Sequence, residues 1–169
     1  GCIVTLDATG TQASMAEQIQ AREADYVLAV KDNQRLLGES IREFFEAFVS
    51  DPQSTPHSVQ ETVEKGHGRL GTRRCYAFSQ LEGLVKPEQW PNLRSFAVVE
   101  SIREIGEKVT TSRRLYISSL PANAESLLQA VRSHWSVENY LHWCLDMAFA
   151  DDQMRLREGY AANNLAVLK

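Results

Sequence analysis

The chain has 169 residues, 43% hydrophobic and 24% charged, the profile of a soluble globular domain with room for a sizeable insertion. No segment approaches the roughly 18 consecutive apolar residues of a membrane helix, and the opening Gly1-Cys2-Ile3-Val4-Thr5-Leu6-Asp7 carries no basic leader. Cys2, Cys75 and Cys144 are too few and too scattered for a zinc site or a disulfide framework, so a reducing cytoplasm is expected. The net charge of −4 argues by itself against a nucleic-acid partner and leaves any such surface to local basic patches. The chain opens inside an apolar strand run and closes on a helical pattern without a stop signal, so a fragment of a longer protein is expected.

Cys2 to Leu6 is a continuous apolar run rich in β-branched residues, expected as a strand buried on both faces. Ser14-Met15-Ala16-Glu17 has the form of a capping box and predicts a helix to about Glu23. Tyr26 to Val30 is a second apolar run. Strand, helix and strand in so short a span make a βαβ unit with parallel strands. In such sheets functional side chains gather beyond the C-terminal strand ends, where Asp7 and Lys31 stand. Leu36 to Val49 predicts an amphipathic helix with Leu37, Ile41, Phe44, Phe45 and Phe48 inward. After the loop Asp51 to Pro56, strands are expected over Val59 to Glu64, Arg73 to Phe78, Arg94 to Glu100 and Lys108 to Ser118. Their hairpin turns are Gly66-His67-Gly68 and Glu104-Ile105-Gly106-Glu107. Pro121 stops the last strand, and Asn123 is placed to cap a helix carrying Leu127, Leu128, Val131 and Trp135 on its inner face.

Glu138 interrupts an otherwise apolar and aromatic stripe, Val131, Trp135, His142, Leu145 and Phe149. A carboxylate there must be paired, with Arg132 or Arg155 for instance, be protonated, or hold a metal. Asp7 reads either as a turn former making an Asx-turn toward Thr9 or as a metal ligand. A strand-end Asp and a helical Glu packed over the same sheet can share a pair of hard divalent cations, which favour oxygen ligands. His134, Glu138 and His142 invite a rival reading as a His-metal hydrolase. The two histidines are eight positions apart and rotated by about 80° around a helix, which makes sharing one ion difficult. Lys65, His67, Arg69 and Arg73 form a basic hairpin, with Lys108, Arg113 and Arg114 as a second basic ribbon. Such hairpins grip phosphates without reading sequence, or are simply solvated strand surfaces. Arg155 and Arg157 follow Asp151 and Asp152 as candidate internal pairs.

His134-Trp135-Ser136-Val137-Glu138-Asn139 and Leu141-His142-Trp143-Cys144-Leu145-Asp146 resemble the C-terminal motif of DDE-type transposases of bacterial insertion sequences, in the group of the H-repeat-associated proteins. Leu6-Asp7-Ala8, Lys31-Asp32-Asn33-Gln34, Lys65 to Arg69, Tyr116 to Leu120 and Asp151 to Arg157 match the same group in order. The resemblance implies an α/β fold, a partial ribonuclease-H-like core interrupted by a mostly antiparallel β insertion. Residues 1–33 would open that core, 34–118 would be a helix plus the β-rich insertion, and 119–169 would supply the core's C-terminal helices. It implies two Mg²⁺ (or Mn²⁺) ions held by an Asp-Asp-Glu triad, with Asp7 as its second Asp, Glu138 as its Glu and the first Asp upstream of Gly1. It implies DNA as partner, both transposon ends and target, a homo-oligomer on that DNA, no membrane and a bacterial cytoplasmic location. Lys31, Lys65, His67, Arg69, Arg73, His134, His142, Arg155 and Arg157 are the expected DNA contacts. Two departures stand out: the family's Arg four residues before the Glu is His134, and its Lys seven after is Leu145. The alternative to an active transposase is a non-catalytic remnant or interaction domain of a degenerate element.

Overall fold

A computed structural model describes residues 1–66 and 69–137. Two compact units divide the chain, Gly1–Val131 and Arg132–Lys169. In chain order the described elements are β1 (Ile3–Leu6), α1 (Ala13–Gln20), β2 (Asp25–Val30), α2 (Arg35–Ser50), β3 (Ser58–Gly66), β4 (Arg69–Phe78), β5 (Ser95–Ile105), β6 (Lys108–Ser118) and α3 (Ala124–Val137). The strands make one six-stranded sheet in the order β1-β2-β6-β5-β4-β3. β1 and β2 are parallel, as the βαβ reading required, and every other pairing is antiparallel. The β-rich middle of the chain is therefore continuous with the opening strands, because β6 pairs directly with β2 from Val27↔Ser118 to Val30↔Leu115. Among the described residues no helix is long and apolar enough to cross a membrane.

α1 and α2 cover one face of the sheet. Their Ala16, Ile19, Leu37, Ile41, Phe45 and Phe48 join Tyr26, Leu28, Phe78, Phe96, Val98 and Ile117 in one buried cluster. The apolar positions of α2 recur at helical spacing, so a single stripe enters the core. Phe78 is fully buried at its centre, with Phe44, Phe48 and Phe96 rings 5.1, 5.0 and 5.1 Å away. The other face carries Val27, Cys75, Ala77, Ala97 and Val99, all buried. α3 begins at that face, where the Ala124 amide donates to Ser58 Oγ at 3.1 Å. Asn123 caps α3 as expected, its side-chain oxygen accepting from the Ser126 amide at 2.9 Å.

Two expectations are corrected. β1 is an edge strand with an exposed-to-half-buried pattern, not a strand buried on both faces, because among the described residues it has a neighbour only in β2. The capping box at Ser14 and Glu17 does not form. The cap lies two residues earlier, at Gln12, with no side-chain hydrogen bond there, and α1 runs from Ala13 to Gln20. The loop after β1 sets that start: Thr11 is anchored in the sheet, so Ser14 falls inside the first turn.

Cys75 is fully buried on β4, and burial pushes its thiol up to about 12 from 9.0. Cys2 is exposed. Iodoacetamide at pH 8 should alkylate Cys2 quickly and Cys75 only on unfolding, since the thiolate is the nucleophile; peptide mass spectrometry reads each site. The unfolded thiol ionises first as pH rises, so the stabilisation it supplies is complete below about 9 and lost on the way to about 12.

Candidate functional site

The parallel pairing of β1 and β2 brings Leu6 opposite Leu28, so the residues that follow each strand emerge from the same end of the sheet. Asp7 stands there, exposed. One carboxylate oxygen accepts from the Gly10 amide at 3.2 Å, an Asx-type turn reaching one residue beyond the expected Thr9. The loop after Asp7 is fastened from beneath. Thr11 is fully buried, and its hydroxyl lies 2.7 Å from the Ala29 carbonyl oxygen on β2 and 3.0 Å from that of Asp7. From the turn after β2, Asn33 Nδ2 donates to the carbonyls of Ala8 and Thr11, and Gln34 Nε2 donates to Thr11 at 3.2 Å. Ala8, Thr9, Thr11, Gln12, Lys31, Asp32, Asn33 and Gln34 line a cleft of about 430 Å³.

Thr11, Asn33 and Gln34 had no assigned role from sequence. The available signal was position: Lys31-Asp32-Asn33-Gln34 directly follows a parallel strand, where its side chains face the neighbouring strand's loop. Asp7 offers hard oxygen donors to solvent, which suits a divalent cation. Among the described residues no group of three or more His, Cys, Asp or Glu side chains gathers to complete such a site. The donor chemistry of Asp7 fits such an ion, and one carboxylate alone does not complete a site.

A projecting arm shares this end of the sheet. β2 ends at Val30 opposite Leu115, so Lys108 to Arg114 run on past it. That extends β6 by roughly 20 Å at about 3.3 Å per residue. β5, β4 and β3 continue beside it, and the tips lie together, with Gly66↔Arg69, Arg69↔Ile105 and Ile105↔Lys108 in register. Gly106 has φ +58°, at the first position of a two-residue turn where a II′ hairpin needs the left-handed region.

Several arm cations are engaged in ion pairs. On the face that α2 covers, Glu61, Arg74, Glu100 and Arg113 stand side by side across four strands. Arg74 pairs with Glu61. Arg113 binds Glu100 at 2.8 Å and Glu46 of α2 at 2.5 Å, with its guanidinium 5.0 Å above the Phe45 ring. Arg73, on the opposite face, pairs with Glu64 at 2.7 Å. The expected single ribbon of Lys108, Arg113 and Arg114 is thus divided, because neighbouring strand residues point to opposite faces.

His134 lies in α3, half-buried, its ring edge-on to Trp135 at 6.2 Å. Lys65 is exposed on β3, and Arg69 opens β4. His67, Glu138, His142, Arg155 and Arg157 lie outside the described residues.

The family described as "Transposase DDE domain" matches residues 1–168. "Putative protein YbfL" and "H repeat-associated putative transposase YhhI", both of Escherichia coli K12, are each 35% identical over 96% of this chain and 44% of their own length. "Putative transposase YncI" of Escherichia coli O157:H7 is 35% identical over 99% of this chain and 43% of its own. The chain thus spans less than half the length of these relatives. No solved structure gives a significant match. The expected resemblance and these matches agree: the chain belongs to the DDE-domain transposase family, in the group of the H-repeat-associated proteins.

Proposed function

We propose that the chain is the C-terminal part of a transposase that cleaves DNA strands at insertion-sequence ends and joins them to a target, built on a partial ribonuclease-H-like core. The observation that carries the reading is Asp7: an exposed carboxylate at the C-terminal end of a parallel strand, in a loop bolted to the sheet, at the end from which the arm projects. Asp7 and Glu138, with an Asp from the part of the parent protein before Gly1, would hold two Mg²⁺ or Mn²⁺ ions. Bound there, such ions lower the pKa of the attacking hydroxyl and stabilise the leaving oxygen.

In the first step a water oxygen bonds to the scissile phosphorus in line as the bond to the 3′-oxygen breaks. That oxygen leaves as a 3′-hydroxyl, and the phosphate stays on the 5′ side. In the second step the 3′-hydroxyl attacks a target phosphodiester, displaces its 3′-oxygen and loses its own proton to solvent. Lys31 beside the cleft, and Lys65 and Arg69 near the arm's tip, hold backbone phosphates, and His67 is assigned to the same role by the family motif. Arg73 does so while sharing its charge with Glu64. His134, His142, Arg155 and Arg157 are assigned to DNA by the resemblance to the family, with His134 standing where the family pattern places an Arg. The DNA-bound form is a homo-oligomer in the bacterial cytoplasm.

The test is Mg²⁺-dependent nicking of DNA bearing the element's ends, using the protein extended to the length of its relatives. Glu138→Gln should abolish nicking while leaving DNA binding and the fold intact. A variant that cuts as well as the wild type overturns the assignment. A folded wild type that never cuts supports the non-catalytic remnant.

A further inference from the structure

The two faces of the projecting arm differ in charge, and the strand register sorts them. On the α2 side the rows beyond the core are Glu61, Arg74, Glu100, Arg113, then Val63, Thr72, Ile102, Thr111, then Lys65, Leu70, Glu104, Val109. Three cations there meet three carboxylates, and the middle row is uncharged. The opposite face carries Gln60, Cys75, Val99, Arg114, then Thr62, Arg73, Ser101, Ser112, then Glu64, Gly71, Arg103, Thr110, with Ile105 and Lys108 at the tip. Among the residues whose side chains are described, four cations there meet one carboxylate, and Thr62, Ser101, Ser112 and Thr110 stand among them. Arg103, Lys108, Thr110, Ser112 and Arg114 are exposed.

We infer that this second face is a platform for the sugar-phosphate backbone of duplex DNA, with Arg103, Lys108 and Arg114 as its cations and Thr110 and Ser112 as hydroxyl donors. The inference deepens the transposase reading and rests on it for the choice of DNA. Cationic and hydroxyl side chains on one flat surface are the usual partners of phosphate oxygens. Four strands at about 4.8 Å spacing span roughly 14 Å before side chains are added, wider than the major groove of about 12 Å. The platform therefore lies across backbones and does not enter a groove, so it holds DNA without reading its sequence. It also leads to the cleft, since Arg114 precedes Leu115, whose partner Val30 precedes Lys31. The acidic whole-chain charge of −4 conceals this one-sided surface.

Thr110 and Thr111 are adjacent, exposed and identical in type, and they point to opposite faces. Thr110→Glu and Thr111→Glu thus make the same change in net charge and differ only in the face that receives it. Binding of the 169-residue chain to a mixed-sequence duplex should be measured by fluorescence anisotropy in EDTA across a salt series. EDTA removes cleavage from the readout, so failure here leaves the Asp7 and Glu138 assignment to its own test. Thr110→Glu should weaken binding about fivefold or more and flatten the log K against log salt slope by about one unit, the loss of roughly one phosphate contact. Arg103→Gln should flatten the slope similarly, and Thr111→Glu should change affinity less than about twofold. Equal losses from the two Thr variants, with thermal melting unchanged, would overturn the inference by reducing the effect to net charge. So would a wild-type chain that does not bind duplex DNA.

Discussion

Phe78→Ala should lower the unfolding free energy of the Gly1–Val131 unit by about 3–5 kcal/mol, the range for removing a buried aromatic ring. Against a typical total of roughly 5–15 kcal/mol this is a large fraction. Phe78 is fully buried between the stacked Phe96 ring and the edges of Phe44 and Phe48. These three rings belong to two elements, α2 and β5, which the rest of the core holds in place, so neither can move in alone to fill the space. Val59, on the strand beside Phe78's own, is 52% exposed, and Val59→Ala should cost less than about 1 kcal/mol because little apolar area is lost. Urea denaturation of the three proteins reads the difference. Comparable losses at Phe78 and Val59 would mean that the aromatic cluster is not the core of this unit.

Asn33→Leu should loosen the Asp7 loop without unfolding the sheet. The variant removes the donor shared by the Ala8 and Thr11 carbonyls. Each carbonyl keeps one other donor, so the loss is that of the two hydrogen bonds themselves, at roughly 0.5–1.5 kcal/mol each. The Thr11 amide still reaches the Ala8 carbonyl at 3.2 Å, and Gln34 still donates to Thr11, so the loss stays local. Amide hydrogen exchange at Gly10, Thr11 and Gln12 should accelerate by about tenfold to a hundredfold, as expected for local opening eased by that amount. Amides in the middle of β5 should exchange as before. Uniform acceleration along the chain would show that Asn33 acts on global stability; no change at the loop would show that Thr11 alone holds it.

Residue patterning by itself determined the elements of this protein. The run before Asp7, the α2 stripe, the four antiparallel strands, the Gly106 turn and the Asn123 cap all follow from periods of two or 3.6 and from turn and cap chemistry, which are local properties of the chain. The motif resemblance named the family and marked Asp7 as its second carboxylate. Tertiary structure alone decided that β6 pairs with β2, so that the inserted strands and the opening strands share one sheet. It made β1 an edge, moved the α1 cap to Gln12, and committed Arg73, Arg74 and Arg113 to carboxylates on neighbouring strands. It also turned Asn33 into the fastening of the Asp7 loop and gave the arm one basic face. These outcomes depend on register between segments far apart in the chain, and a shift of one residue would exchange the two faces of a strand. No local pattern encodes that register; it emerges only when the whole sheet is paired.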